Sequence, residues 1–221
     1  MVDEIFTREE IGAMRRSYSD EGLLTLPDDP FIAFAEWLKA AHENLVIVEA
    51  NAMVLSTLAA DNQITTRTVL LKDISEGGFT FFTNYESRKA HDIQVNPNVS
   101  LLFPWYAMER QISISGSAEK VSEKESADYF ATRPWGSQIG AWASQQSSQL
   151  SSPEELKQRY EGAATKWPEG TVVPRPPQWG GYRVTPLNVE FWQGRYSRLH
   201  DRLRFERVNV NSDWKLNRYY P

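Results

Sequence analysis

The chain has no cysteine among its 221 residues, which excludes a disulfide framework, a thiolate metal site and a cysteine nucleophile. It also lacks the run of ~20 apolar residues that a membrane span requires. The longest candidate, 45–60, is interrupted by Glu49 and Asn51. Basic charge is in deficit, with 24 Lys and Arg against 29 Asp and Glu and a net charge of -5. That balance argues against nucleic-acid binding, which depends on cations neutralising phosphates, so any anion site must be local. Residues 1–10 are acidic and polar where a secretory signal is basic and then apolar, and no thiol hints at an oxidising compartment. A cytoplasmic protein with no membrane or nucleic-acid partner is expected.

Several chemical signatures are missing as well. No Gly-x-Gly-x-x-Gly or Walker loop supports a nucleotide cradle made from backbone, and no Gly-x-Ser-x-Gly elbow supports a hydrolase. His42 and His91 have no partner at ligand spacing, so no metal is expected. Phosphate binding, if present, must use side chains.

What is present is 41% apolar residues, enough for the core of one domain. Thr7 and Glu10 form a capping box for a first helix, and Asp29 with Pro30 opens an amphipathic helix carrying Phe31, Phe34, Trp37, Leu38 and Ala41. The period then shortens. Runs at 53–59, 64–72, 78–83 and 99–105, and the alternation of Ile112 and Ile114 with serines, predict strands of a mostly antiparallel sheet. Ser87 is placed to cap a helix ended by Pro97, while Ser122 with Glu125 and Ser152 with Pro153 open two more. An extended connector at 171–178 precedes final strands at 189–193 and 202–208. The pattern predicts a mainly β fold, a small barrel with peripheral helices, and leaves the topology open.

Three clusters stand out in this acidic chain. Arg67, Lys72, Arg88 and Lys89 gather cations near one strand and one helix start, where the dipole already favours an anion; a solvated basic edge is the competing reading. Tyr129, Arg133 and Ser137 recur at intervals of four and could hold a second phosphate, or could be ordinary helix-end residues. Arg198, His200 and Arg202 would share one face of an extended segment.

At these residues the sequence resembles the pyridoxine/pyridoxamine 5'-phosphate oxidases. The matching blocks are Arg67–Lys72, Ser87–His91, Ser100–Trp105, Glu109–Gln111, Ser137–Trp142, Phe191–Gly194 and Arg198–Arg202, in that order along the chain. The resemblance implies an FMN-binding split β-barrel of Greek-key type, homodimeric, with FMN at the subunit interface. It implies residues 1–28 as a helix and mobile lid and 29–221 as the barrel domain. Carried over by position, Arg67, Thr68, Val69, Leu70, Leu71, Lys72, Phe82, Thr83, Arg88, Lys89, Gln111, Gln146, Ser147, Trp192 and Arg202 are similar to the FMN shell. Lys72, Tyr129, Arg133 and Ser137 resemble a substrate-phosphate grip, Arg198 and His200 match the catalytic residues beside the pyridine ring, and Arg15, Arg16 and Tyr18 resemble the lid.

The activity implied is oxidation of pyridoxine 5'-phosphate and pyridoxamine 5'-phosphate to pyridoxal 5'-phosphate, with O2 as electron acceptor. Phe82 departs from the family's frequent tyrosine, which removes a hydroxyl contact and leads to an expectation of weaker FMN affinity. Ser17 and Arg195–Ser197 also differ from the usual pattern. Another split-barrel flavin oxidoreductase, or a non-catalytic pyridoxal-phosphate or flavin carrier, are the alternative readings.

Overall fold

A computed structural model describes residues 7–14, 17–19, 22–75 and 77–221. Helix α1 (Arg8–Ala13) begins at the capping box, with the Thr7 hydroxyl accepting from the Glu10 amide and the Glu10 carboxylate accepting from the Thr7 amide. Helix α2 (Pro30–Glu43) follows its expected cap, the Asp29 carboxylate accepting from the amides of Phe31 and Ile32. The strands β1 (Ala52–Leu58), β2 (Ile64–Leu70), β3 (Asp73–Ser75) and β4 (Gly78–Asn84) come next, and helix α3 (Arg88–Val95) leads into β5 (Asn98–Trp105) and β6 (Arg110–Lys120). Helices α4 (Glu123–Thr132), α5 (Trp135–Ala143) and α6 (Pro153–Lys166) precede the long β7 (Trp179–Gln193), and β8 (Asp201–Glu206) and β9 (Lys215–Tyr219) end the chain.

All the pairings are antiparallel, in the order β2-β1-β5-β6-β7-β4-β3 with β8 and β9 added beside β7. The two ends of that order, β2 and β3, are joined in the chain by Leu71 and Lys72 alone, so the sheet closes on itself. Strand β7 makes the barrel a split one. Along one edge it pairs continuously with β6; along the other it pairs with β4 through 179–184 and with β8 through 188–193. The register shifts between Ser115 and Gly116, where a Cβ on Gly116 would lie 2.2 Å from the Thr185 carbonyl oxygen. Only glycine permits that approach.

Alternation decides the faces. Met53, Leu55, Leu101, Phe103, Ile112, Ile114, Val189, Phe191 and Phe205 point inward and are buried, while Ser113, Glu190 and Arg204 point outward. Helix α2 covers the core with its predicted stripe. Phe34 makes edge contacts with Phe79 and Phe103, both at 4.9 Å, and Trp37 meets Phe191 at 5.2 Å. A second cluster, centred on Phe130, Ile139, Val173 and Trp179, lies beneath α4 to α6.

Three features differ from the sequence expectation. Helix α5 takes in Ser137, which the sequence suggested would follow a helix end; Gly136 and Gly140 dilute its helix propensity, although Trp135, Ile139 and Trp142 keep the period. Strand β7 starts ten residues before the expected 189 and runs through Gly180, Gly181 and Pro186. The glycines are there because rings lie on them: a Cβ on Gly180 would sit 2.3 Å from the Tyr85 hydroxyl, and one on Gly181 2.8 Å from the Phe82 ring. Ser87 does occupy the α3 N-cap position, but its hydroxyl makes no cap and accepts instead from the Lys89 ammonium at 3.2 Å.

Candidate functional site

Arg67 stands on β2 opposite Leu55. Its guanidinium donates to the Thr57 hydroxyl at 2.7 Å and to the Thr65 hydroxyl, while Asp92 of α3 lies 3.8 Å away. Asp92 is buried and accepts from Thr57 at 2.6 Å and Thr65 at 3.1 Å, so strand and helix share one network. Burial lowers the Arg67 pKa, the Asp92 charge opposes that, and nearby Arg88 lowers it further.

Lys89 points back from the first turn of α3 and is buried, donating to Gln146 at 2.7 Å, Thr83 at 3.1 Å and Ser87. All three partners are neutral. Burial, followed by the Arg67 charge, therefore lowers its pKa to about 8. A buried ammonium held only by neutral acceptors is an unmatched anion site.

Arg67, Lys72 and Lys89 line a cavity of about 780 Å³, and Tyr129, Arg133 and Ser137 line the same cavity. Members of the first two clusters of the sequence thus border one space. Thr68, Val69, Leu70, Phe82, Thr83 and Gln146 also border it. Leu71 does not, because its side chain is packed in the core, and Ser147 lies exposed beyond Gln146 with a positive φ of 73°. Arg88 is exposed, outside the lining. One Arg133 nitrogen, Nη1, is shielded from solvent with no acceptor, and burial lowers the pKa of that side chain while Tyr129 opposes the shift. The donor set and the stranded N–H suit the binding of anionic groups in this cavity.

The third cluster lies elsewhere in this chain. Arg198 and His200 border a separate cavity of about 1240 Å³ with Ser17, Tyr18 and Trp192. Here the expected alternation fails. Ser197 and Arg198 adopt left-handed conformations, with φ of 57° and 63°, so the segment is a turn and Arg198 is not in register with a strand. Arg202 is, and it parts from the other two: its guanidinium donates to Glu190 at 3.0 and 2.9 Å on the outer face of the sheet. Gln111, Trp192 and Arg202 form one cross-strand row over β6, β7 and β8. His200 packs against Trp192 at 4.6 Å, and its Nδ1 accepts from the Arg195 amide at 3.1 Å, so a neutral ring carries its proton on Nε2. Partial burial and the Arg198 charge lower its pKa.

Tyr18 lies edge-on to Trp192 at 5.9 Å and to His200 at 5.5 Å, and Ser19 donates through both amide and hydroxyl to Glu109 at 2.9 and 2.8 Å. Arg15 and Arg16 lie outside the described residues. Sequence reasoning did not single out Asp92 or Trp179. The signal for Asp92 was its place one helical turn after Lys89; Trp179 fell between the expected connector at 171–178 and the expected strand at 189–193, in a stretch assigned to no element.

A closed antiparallel barrel that divides along β7, with helices outside and a cation-lined cavity beside β2, β4 and α4, is a split β-barrel. Comparison with known proteins narrows the class. Residues 38–167 match the family model described as pyridoxamine 5'-phosphate oxidase, and residues 179–221 match the pyridoxine 5'-phosphate oxidase C-terminal dimerisation region. A pyridoxine/pyridoxamine 5'-phosphate oxidase of Streptomyces avermitilis is 49% identical over 95% of each chain, and one of Rubrobacter xylanophilus is 47% identical over 97% of this chain and 98% of that one. Among solved structures, PhzG from Burkholderia lata, in complex with tetrahydrophenazine-1-carboxylic acid, is similar with a TM-score of 0.84 and 31% identity, covering 92% of this chain and 100% of that one. A pyridoxamine 5'-phosphate oxidase-related, FMN binding protein from Nostoc punctiforme shares the fold, with a TM-score of 0.68 at 16% identity over 85% of this chain and 96% of that one.

The chain belongs to the pyridoxamine 5'-phosphate oxidase family. It is an enzyme of that family, and β7 to β9 carry the dimerisation region. Among the described residues, no helix is long and apolar enough to cross a membrane and no group of side chains suits a metal ion.

Proposed function

We propose that this protein oxidises pyridoxine 5'-phosphate and pyridoxamine 5'-phosphate to pyridoxal 5'-phosphate with FMN as cofactor. The observation that carries the reading is the single cavity bordered by both Arg67–Lys89 and Tyr129–Arg133–Ser137, which offers separate grips for a cofactor phosphate and a substrate phosphate. Bound FMN would supply a two-electron acceptor that O2 reoxidises, releasing hydrogen peroxide.

The residues of the chain do the positioning. Arg67 and Lys89, with Thr83 and Gln146, would hold the FMN phosphate by charge-assisted contacts, and the exposed Arg88 would have to turn toward it from outside the cavity lining. Lys72, Tyr129, Arg133 and Ser137 would anchor the substrate phosphate, setting the C4' carbon at the flavin and converting an encounter into a fixed geometry. Arg198 would orient the pyridine ring and, as a donor, stabilise the negative charge left on the oxygen when the alcohol proton passes to solvent, with His200 beside it. The amine substrate yields an imine that water hydrolyses to the same aldehyde and ammonia.

Arg198, His200, Trp192 and Gln111 do not border the first cavity in one chain, so this reading requires a second copy to carry them onto it. The match of β7 to β9 to a dimerisation region supports that arrangement. Tyr18, seated on Trp192 and His200, would then cover the substrate as a lid.

The test is to mix the purified protein with pyridoxine 5'-phosphate and follow aldehyde and peroxide together. Equal yields over many turnovers are expected, whereas a carrier would stop at one equivalent. A flavin-loaded protein that produces neither would overturn the proposal. The likeness to PhzG favours one alternative, oxidation of a reduced ring acid gripped through its carboxylate by Arg133. Turnover of such an acid with none of pyridoxine 5'-phosphate would select it.

A further inference from the structure

Tyr129 and Arg133 stand one helical turn apart at the end of α4, and both rest on rings from other elements. The Tyr129 ring is stacked on Phe82 of β4 at 4.1 Å with the planes 19° apart. Phe82 is in turn stacked on Trp179, the first residue of β7, at 5.4 Å and 9°. The Arg133 guanidinium carbon lies 4.8 Å from the centre of the Trp179 ring. Three nearly parallel rings and a cation thus form one wall of the cavity that both phosphate grips share.

Trp179 is itself fixed from several sides. It is 6% exposed, its amide donates to the Pro176 carbonyl at 3.0 Å, its carbonyl accepts from Arg175, and Phe130 contacts it edge-on at 5.1 Å. Phe82 is held against Gly181, where no side chain intervenes. Arg133, by contrast, has no ion-pair partner among the described residues, and its shielded Nη1 has no acceptor. An arginine held over an indole loses much of its rotamer freedom while its N–H groups stay available, which suits it to wait for an anion without a carboxylate to hold it.

We propose that Trp179, backed by Phe82, is a positioning residue for the substrate's anionic group, acting through Arg133 and Tyr129. This rests on the reading above that the Tyr129–Arg133 grip takes the substrate phosphate. Ordering Arg133 before binding lowers the rotamer entropy lost when the anion arrives. Phe82 then serves the substrate grip through its ring, and the hydroxyl it lacks is not needed for that task.

The test compares wild type with Trp179→Leu and Trp179→Phe, using flavin-loaded protein so that the other grip is filled. Inorganic phosphate is the probe, its binding measured by calorimetry, beside KM and kcat for pyridoxine 5'-phosphate. Trp179→Leu is expected to weaken phosphate binding and raise KM together by about tenfold, between the worth of an exposed and of a desolvated cation–π contact, with kcat and flavin content held and Trp179→Phe recovering part of the loss. A tryptophan that merely filled volume would lower thermal stability and leave phosphate affinity alone; that result, or loss of flavin in place of phosphate affinity, would overturn the proposal.

If Trp179→Leu does not fold, Trp179→Phe combined with Arg133→Lys decides the matter. The two effects on phosphate binding should be strongly non-additive, and additive effects would refute a role through Arg133. Phosphate binding that depends on Trp179, in a protein that does not turn over pyridoxine 5'-phosphate, would sink the activity assignment and leave this inference standing.

Discussion

The Lys89 ammonium donates to the side-chain oxygen of Gln146 at 2.7 Å, joining the first turn of α3 to the loop after α5 across 57 residues of sequence. The bond is made inside the cavity, with no carboxylate among the acceptors of Lys89, which leaves that lysine as the most strongly perturbed cation of the site.

FMN affinity should therefore depend on pH. Lys89 without ligand loses its proton near pH 8, well below the ordinary 10.5, and a bound phosphate dianion would restore it. Binding takes up a proton above that pH, so affinity should fall as pH rises, by up to about tenfold per pH unit for one linked proton. Flavin titration between pH 7 and 10 reads this directly. Lys89→Met should bind more weakly with a flat profile, and an unchanged slope in that variant would assign the proton to another group.

Replacing Arg198 with Met should leave flavin bound and cut turnover by about a hundredfold or more, since Arg198 lies outside the cavity bordered by Arg67 and Lys89 and its removal affects the substrate side only. Flavin absorbance and steady-state rates on the same preparation separate the two effects. Loss of flavin would move Arg198 to the cofactor side.

His200 should titrate below 6.5 by NMR, because partial burial and the Arg198 charge both disfavour its cationic form. Its folded value lies below its unfolded one, so the unfolded chain takes the proton first. The contribution of the Arg195–His200 hydrogen bond is whole above the unfolded value and is lost as pH falls through the folded one. Arg198→Met should shift the titration upward; a downward shift would contradict the assigned cause.

Phe34→Ala should destabilise the barrel by ~3–5 kcal/mol, since this fully buried ring meets both Phe79 and Phe103. Denaturant unfolding measures it. A loss under ~1 kcal/mol would mean that α2 is not part of the cooperative core.

What the sequence determined by itself was local. The caps at Thr7, Asp29, Ser122 and Ser152 follow from side chains satisfying amides two or three residues away. The alternation in β1, β5 and β6 follows from two-residue periodicity on a half-buried sheet. Cationic side chains concentrated in an acidic chain marked Arg67, Lys89 and Arg133 as unusual before any distance was known.

The tertiary structure decided whatever depends on residues far apart. The ten extra residues of β7 before 189 include Gly180 and Gly181, whose role shows only when the rings of Tyr85 and Phe82, about 100 residues upstream, occupy the space their side chains would fill. Alternation set Arg198 beside Arg202, but a left-handed turn at Ser197 and Arg198 and the pull of Glu190 on Arg202 part them. That Arg67 and Arg133 border one cavity depends on closure of the barrel between β2 and β3, and closure is a property of strand order, which no short window of sequence encodes.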